Sequence, residues 1–117
     1  MSERADDLDV RAILVITTVP DETTAVKIAN ALVAEKLAAC VHVLPMGLSI
    51  YRWQGAIERA SEQTLLTKST NDRAGELATA ITRLHPYDSP ELLTFSVADG
   101  LPAYFSWITH ETRPSGA

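Results

Sequence analysis

The stretch VRAILVITTVPDETTA, residues 10–25, predicts a strand that runs directly into a helix. Its first nine residues are almost all apolar or β-branched, and the two alternating faces of the strand are both apolar. Pro20 suits a first helical position, and Asp21 suits the positive end of a helix dipole. We therefore predict a buried strand over Val10–Thr18 and an amphipathic helix over Asp21–Lys36.

The remaining pattern predicts a hairpin, a second helix, another strand and a short last helix. Period-two alternation over 39–44 is interrupted at Pro45 and Gly47, as at a sheet edge or bulge. Further strands are predicted over 48–53, 56–68 and 91–98. A second helix is predicted to be capped by Ser69, Thr70 or Asn71 and to stop near His85, because Pro86 follows it. A last helix begins at Pro102 and has Tyr104, Trp107 and Ile108 on one face. The order β-α-β-β-α-β, then α, predicts an α+β ferredoxin-like fold with an additional short C-terminal helix.

Size and composition narrow the class of protein. A chain of 117 residues with 46% hydrophobic residues fits one domain, predicted over 10–112 between flexible tails at 1–9 and 113–117. A formal net charge of −5 without a basic stripe argues against nucleic acid as a partner. One cysteine excludes a disulfide within the chain and favours a reducing compartment. With no signal-peptide layout and no apolar run of membrane-spanning length, we expect a cytoplasmic protein without a membrane partner.

The sheet leaves one face without a partner in the predicted fold. Two helices cover one face of a four-stranded sheet, yet the strand over Val10–Thr18 is apolar on both faces. We therefore predict that a second subunit covers the other face.

Two groups of residues are candidate metal ligands. Cys40 and His42 share one face of a strand, and a thiolate with an imidazole suits copper or zinc, although a buried thiol beside a polar residue is the commoner arrangement. In HPYDSPE, residues 85–91, His85 and Glu91 are held by two prolines and could bind a cation. The same segment also suits a stiff corner after a helix, which the local chemistry favours.

Other polar and aromatic residues allow two interpretations each. Tyr51 and Trp53 share a strand face and could line a pocket, but they more often anchor an interface. Lys68 allows a catalytic role, which would need a lowered pKa. The commoner alternative is a lysine that packs its apolar stem against the protein and keeps its charged end in water. The sequence contains none of the common catalytic or nucleotide-binding motifs, so it does not predict an enzyme.

Six stretches of the chain match one known family in order: TTVPDETTA (17–25), LVAEKLAACVHVLP (32–45), SIYRWQGAIE (49–58), LLTKS (65–69), HPYDSPE (85–91) and DGLPAYFSWI (99–108). Together they resemble the CutA family of divalent-cation-tolerance proteins. The resemblance implies a ferredoxin-like fold, a homotrimer formed by pairing of strands between subunits, and a link to tolerance of divalent metals, copper above all. On this basis we predict a metal site at His85 and Glu91, with Cys40 of the same or a neighbouring subunit as a further ligand, for copper or another divalent cation that the protein does not require. Tyr51, Trp53, Lys68 and Tyr87 are expected at a cleft or interface between subunits.

The chain departs from its copper-binding relatives at two positions. Some of them carry a cysteine where this chain has Thr17, and a second histidine where it has Leu84. Threonine is a poor ligand for a soft metal. An alternative function is that of a trimeric sensor of the PII type, which binds a small molecule between subunits, although the chain lacks an evident anion-binding loop.

Overall fold

The computed structural model describes residues 9–114, so most of the two predicted tails lies outside the described residues. The elements are β1 (Ala12–Val19), α1 (Glu22–Ala34), β2 (Cys40–Val43), β3 (Gly47–Trp53), β4 (Ala56–Thr70), a 3-10 turn (Asn71–Arg73), α2 (Ala74–Leu84), β5 (Leu93–Ser96) and α3 (Pro102–Glu111). Among these helices, none is long and apolar enough to cross a membrane.

All strand pairs in the sheet are antiparallel. The strand order is β2-β4-β1-β5, and β3 pairs with the outer half of β4. Since β2 and β3 both lie against β4, they act as two segments of one strand, and the chain order reduces to β-α-β-β-α-β. The predicted α+β ferredoxin-like fold with an extra C-terminal helix is confirmed.

A bulge separates β2 from β3, as Pro45 and Gly47 predict. Val43 pairs with Leu65 and Gly47 with Glu62, so the three residues 44–46 face only two, 63 and 64. The extra residue on the β2–β3 side is the definition of a bulge. The side chain of buried Gln63 stabilises it by donating a hydrogen bond from Nε2 to the carbonyl oxygen of Leu44 at 3.2 Å.

The hydrophobic core lies between the sheet and the two long helices. Odd-numbered residues of β1 and β4 face the helices, and those from Ile13 to Val19 and from Gln63 to Ser69 are buried. The core cluster consists mainly of Ile13, Val15, Val19 and Leu65 from the sheet, Ala25, Ile28 and Leu32 from α1, and Leu77, Ala80 and Ile81 from α2. The helices therefore cover one face of the central strands β1 and β4, whose even-numbered residues point to the opposite, open face.

The last helix covers only one end of the open face. Ile108 and Thr112 are buried, and the Thr112 hydroxyl lies 3.2 Å from that of Thr70 at the end of β4. Tyr104 and Trp107 stack on each other but stay about two-fifths exposed, at 43% and 41%. Of the three residues predicted to share one face of this helix, only Ile108 is buried.

Helix α1 is shorter at both ends than the predicted range Asp21–Lys36. Asp21 is the N-cap of α1 rather than its first residue, since its side chain accepts a hydrogen bond from the Thr24 N–H at 2.8 Å. The helix ends at Ala34, two residues before the predicted Lys36. Lys36 adopts a left-handed φ of 60°, which lets the Leu37 N–H reach the Leu32 carbonyl oxygen at 2.9 Å.

The predicted side-chain cap of the second helix is wrong. Neither Thr70 nor Arg73, the residues before the 3-10 turn and α2, makes a capping bond with its side chain. The short polar side chains have tertiary partners instead: Ser69 donates to the Leu37 carbonyl oxygen at 2.6 Å, and Asn71 accepts from the Arg11 N–H at 2.7 Å. These bonds hold the end of β4 against the rest of the domain.

Candidate functional site

The HPYDSPE segment forms the corner between α2 and β5, and His85 is its anchor. The imidazole is only 7% exposed and lies 2.7 Å from the Thr18 carbonyl oxygen through Nε2. Nδ1 accepts a hydrogen bond from the Tyr87 N–H at 3.1 Å. This second bond needs the lone pair of Nδ1, so we assign the ring proton to Nε2, which donates to Thr18. Both ring nitrogens of His85 are engaged in holding the corner.

Tyr87 connects the corner to β4 of the long hairpin through a hydrogen bond. Its hydroxyl donates to Glu62 Oε2 at 3.0 Å, and its ring lies 4.8 Å from the His85 ring. Partial burial, the hydrogen bond to Glu62 and the charge of Glu62 together raise the pKa of Tyr87 above its ordinary value of 10.0. The phenol therefore stays protonated and continues to donate at neutral pH.

A cleft of about 500 Å³ opens beside this corner. It is lined by Thr18, Tyr51, Trp53, Glu62, Tyr87, Asp88, Ser89 and Glu91. Three of these are aromatic and three are carboxylic acids, whereas no lysine, arginine or histidine of the described residues belongs to the lining. The cleft thus combines a negative charge with aromatic surfaces.

The bulge decides that Tyr51 and Trp53 reach this cleft. Val43, before the bulge, pairs with Leu65 on the helix-facing side of β4. After the bulge, Tyr51 pairs with Glu58 and Trp53 with Ala56, which share the side of Glu62. Because side chains alternate along a strand, removing one residue from the bulge would turn both aromatic rings to the opposite face.

The structure separates the other predicted site residues from the cleft. Cys40 pairs with Lys68 across β2 and β4, with 3.9 Å between Lys68 Nζ and Cys40 Sγ. His42 lies on the same face, opposite Leu66, and is exposed. Two strands, β4 and β1, stand between β2 and β5. At about 4.8 Å per strand spacing, Cys40 is too far from the β5 end of the sheet to share a metal with Glu91 of the same subunit.

The donor atoms near the cleft do not fit a soft copper site. Within residues 9–114, no group of three or more His, Cys, Asp and Glu side chains is placed to hold a metal. The cleft offers carboxylate and hydroxyl oxygens, which suit hard cations such as Mg²⁺, Ca²⁺ and Mn²⁺. Thr17 is fully buried on the helix-facing side of β1, and Leu84 packs against the core. The two positions where copper-binding relatives differ therefore do not line this cleft.

The sequence identified part of the cleft and missed part of it. Tyr51, Trp53 and Tyr87, which were predicted at a cleft or interface between subunits, and Glu91, which was predicted as a metal ligand, line this one cleft, whereas Lys68 does not. Glu62 was missed because it lies in a polar strand segment, and only the hydrogen bond from Tyr87 reveals its place in the cleft. Asp88 and Ser89, which lie between Tyr87 and Glu91, line the cleft as well, although the sequence indicated for this segment only a stiff corner.

Comparison with known proteins places the chain among its relatives. Residues 13–111 match the family model described as CutA1 divalent ion tolerance protein. The divalent-cation tolerance protein CutA of Yersinia pestis (strain Pestoides F) is 46% identical over 97 residues, which cover 83% of this chain and 82% of that protein.

Solved structures agree with the sequence comparison. The structure of the divalent cation tolerance protein CutA1 from Thermus thermophilus matches with a TM-score of 0.86 at 41% identity, over 87% of this chain and 99% of that one. CutA from Xylella fastidiosa matches with a TM-score of 0.86 at 42% identity, over 88% of this chain and 99% of that one. The likeness extends over nearly the whole described domain.

Proposed function

The chain belongs to the CutA1 family of divalent ion tolerance proteins, and from that premise we propose that it supports cation tolerance by binding a divalent cation weakly in its acidic cleft. The observation that carries this proposal is the lining of the cleft by Glu62, Asp88 and Glu91 without a basic residue. Three carboxylates around one cavity attract a cation and disfavour an anion. Because Glu62 already accepts a hydrogen bond from Tyr87, we assign the principal contacts to Asp88 and Glu91.

The proposal favours a hard divalent cation over copper. The cleft supplies only oxygen donors, the ligand type of Mg²⁺ and Mn²⁺ sites, and it lacks the imidazole and thiolate groups typical of copper sites. The ligand set predicted from the sequence, His85, Glu91 and Cys40, is the competing arrangement. It requires Cys40 from a neighbouring subunit, and it requires His85 to give up one of its two hydrogen bonds.

Calorimetric titration of Mn²⁺ and Cu²⁺ into the protein tests the two arrangements. We expect Glu91→Gln to weaken Mn²⁺ binding about tenfold, the effect of one lost contact worth roughly 1.4 kcal/mol. Glu111→Gln, which removes an acid on α3 outside the cleft, is the matched control and should leave the isotherm unchanged. If Glu91→Gln and Asp88→Asn both bind Mn²⁺ like the wild type, the cleft is not the cation site. Loss of Cu²⁺ binding in His85→Ala and Cys40→Ser would favour the competing site instead.

We further propose that the protein acts as a cytoplasmic homotrimer without nucleic acid, membrane or enzymatic activity as part of its role. The trimer is supported by the open face of the sheet, where Leu93 and Phe95 of β5 are 52% and 46% exposed. Further apolar side chains are exposed along the hairpin, among them Leu48, Ile50 and Ile57. Large apolar surfaces of this kind mark protein interfaces.

A sensor of the PII type is the second candidate function. The observation that favours it is the aromatic wall of the cleft, since a small-molecule site typically has apolar sides and a few polar groups. Lys68 does not line the cleft, so it supplies no positive charge for an anionic metabolite. A sensor built on this cleft would therefore recognise a cation.

A further inference from the structure

The aromatic rings of the cleft have no role in binding a bare metal ion. Tyr51, Trp53 and Tyr87 all line the cavity, and Trp53 is 60% exposed. A hard divalent cation takes oxygen ligands at about 2.0–2.6 Å and needs only a small cage. The cavity of about 500 Å³ has instead the size of a small-molecule site. The aromatic lining and the volume of the cleft therefore both fit a ligand larger than a metal ion.

Two sets of contacts limit the chemistry of that occupant. Ring faces attract a cation within about 6 Å of the ring centre, and carboxylates accept hydrogen bonds from N–H groups. A quaternary ammonium ion would satisfy the rings but would leave the carboxylates of Asp88 and Glu91 without donors. A guanidinium group satisfies both, because it is planar, stacks on aromatic faces and donates in pairs to a carboxylate.

The corner keeps one ring of the site in place before any ligand arrives. The Tyr87 hydroxyl is bonded to Glu62 and its N–H to His85, so the ring is restrained at both ends. The two prolines, Pro86 and Pro90, stiffen the backbone on either side. A binding wall that is already ordered loses less entropy when a ligand binds.

We propose that the cleft binds a small organic cation of the alkylguanidinium class, held between the Trp53 and Tyr87 rings and the carboxylates of Asp88 and Glu91. This inference rests on the proposed cation site and names the class of cation that fits its full lining. The guanidinium stacks on the Trp53 ring and donates hydrogen bonds to the acids, and the alkyl chain packs against the rest of the aromatic wall. His85 acts as a positioning residue through Tyr87 and does not touch the ligand.

The test compares two probes of nearly the same shape, N-butylguanidinium and neutral N-butylurea, by calorimetry on the full chain. We expect the guanidinium to bind and the urea to show no measurable heat. Trp53→Leu should weaken the guanidinium about fivefold while leaving Mn²⁺ binding unchanged, because only the organic cation uses the ring. Trp53→Phe keeps an aromatic face and should retain most of the affinity. Trp107→Phe, which alters the exposed tryptophan of α3, is the control and should change nothing.

Three other outcomes would overturn the inference, and they differ in what they leave standing. If Mn²⁺ binds through Glu91 but N-butylguanidinium binds no better than N-butylurea, the organic ligand is excluded and the proposed metal site survives. If Trp53→Leu binds N-butylguanidinium like the wild type, the ring is not part of the site. If neither Mn²⁺ nor N-butylguanidinium binds, both the inference and the proposed function fail.

Discussion

At the scale of single residues, the buried threonines of the sheet fall into two kinds. Thr17, Thr67 and Thr70 are all fully buried. The hydroxyls of Thr17 and Thr67 face the helices and have no hydrogen-bond partner among the described residues. The Thr70 hydroxyl donates to Asp72 at 2.6 Å and accepts from Arg113 at 3.0 Å. A buried polar group without a partner costs about 1–3 kcal/mol, so the first kind lowers stability and the second does not.

We expect Thr67→Val to raise the free energy of unfolding by about 1 kcal/mol, because it replaces an unpaired buried hydroxyl with a methyl group of similar shape. Guanidinium chloride unfolding at a fixed protein concentration measures the change. Thr70→Val is the matched control, since it removes a paired hydroxyl at an equally buried position, and it should lower stability by a similar amount. A loss of stability in Thr67→Val as large as that in Thr70→Val would show that the Thr67 hydroxyl is paired.

At the scale of elements, the end of α3 is fastened to the turn that follows β4. Arg113 forms an ion pair with Asp72, with 2.9 Å between Nη1 and Oδ2. Burial raises the pKa of Asp72, but the hydrogen bonds from Arg113 and Thr70 and the charge of Arg113 outweigh it, so the pKa lies below its ordinary value of 3.8. A lowered carboxyl pKa stabilises the folded state above pH 3.8, and that stabilisation is lost as the pH falls through the lowered pKa.

We therefore expect Asp72→Asn to be less stable than the wild type at pH 7 by about 0.5–1 kcal/mol, a modest value because the pair is partly exposed. The difference should shrink as the pH falls below about 3.8 toward 2, where the wild-type carboxyl also becomes neutral. Urea unfolding at several pH values measures it. Combining Asp72→Asn with Arg113→Ala isolates the pair: if the two changes are additive at pH 7, the ion pair does not account for the effect.

At the scale of the whole molecule, the domain is elongated, with extents of 53, 26 and 24 Å. The β3–β4 hairpin turns at Gln54 and Gly55, which have φ values of 50° and 83°, and its outer half is exposed. Two positive φ values in a two-residue turn match the right-handed twist of hairpin strands. An isolated two-stranded ribbon is only marginally stable in water, so the hairpin fits a molecule that packs against further copies of itself.

We expect Phe95→Glu to dissociate the proposed homotrimer, because it places a charge on the open face of the sheet. Light scattering coupled to gel filtration should then give a mass near 12.7 kDa for the variant and three times that value for the wild type. Val26→Glu changes a side chain of α1 that is equally exposed, at 45%, on the helix-covered side, and should keep the trimer. A wild type that elutes as a monomer at micromolar concentration would exclude the assembly.

The sequence by itself determined the fold class. A strand that is apolar on both faces and apolar residues at helical spacing are local repeats that can be read from the sequence, and Pro45 restricts the backbone where it interrupts a strand. It also placed Tyr87 and Glu91 in one corner of the chain, because they are close in sequence. Only the tertiary structure decided the rest. The one-residue bulge set which face Tyr51 and Trp53 occupy, and the fold brought Glu62 to Tyr87 from 25 positions away. It also engaged both nitrogens of His85 in holding the corner, a role that depends on the carbonyl oxygen of Thr18, 67 residues distant. Local periodicity cannot predict such contacts, because they depend on how strands with several possible registers pack together.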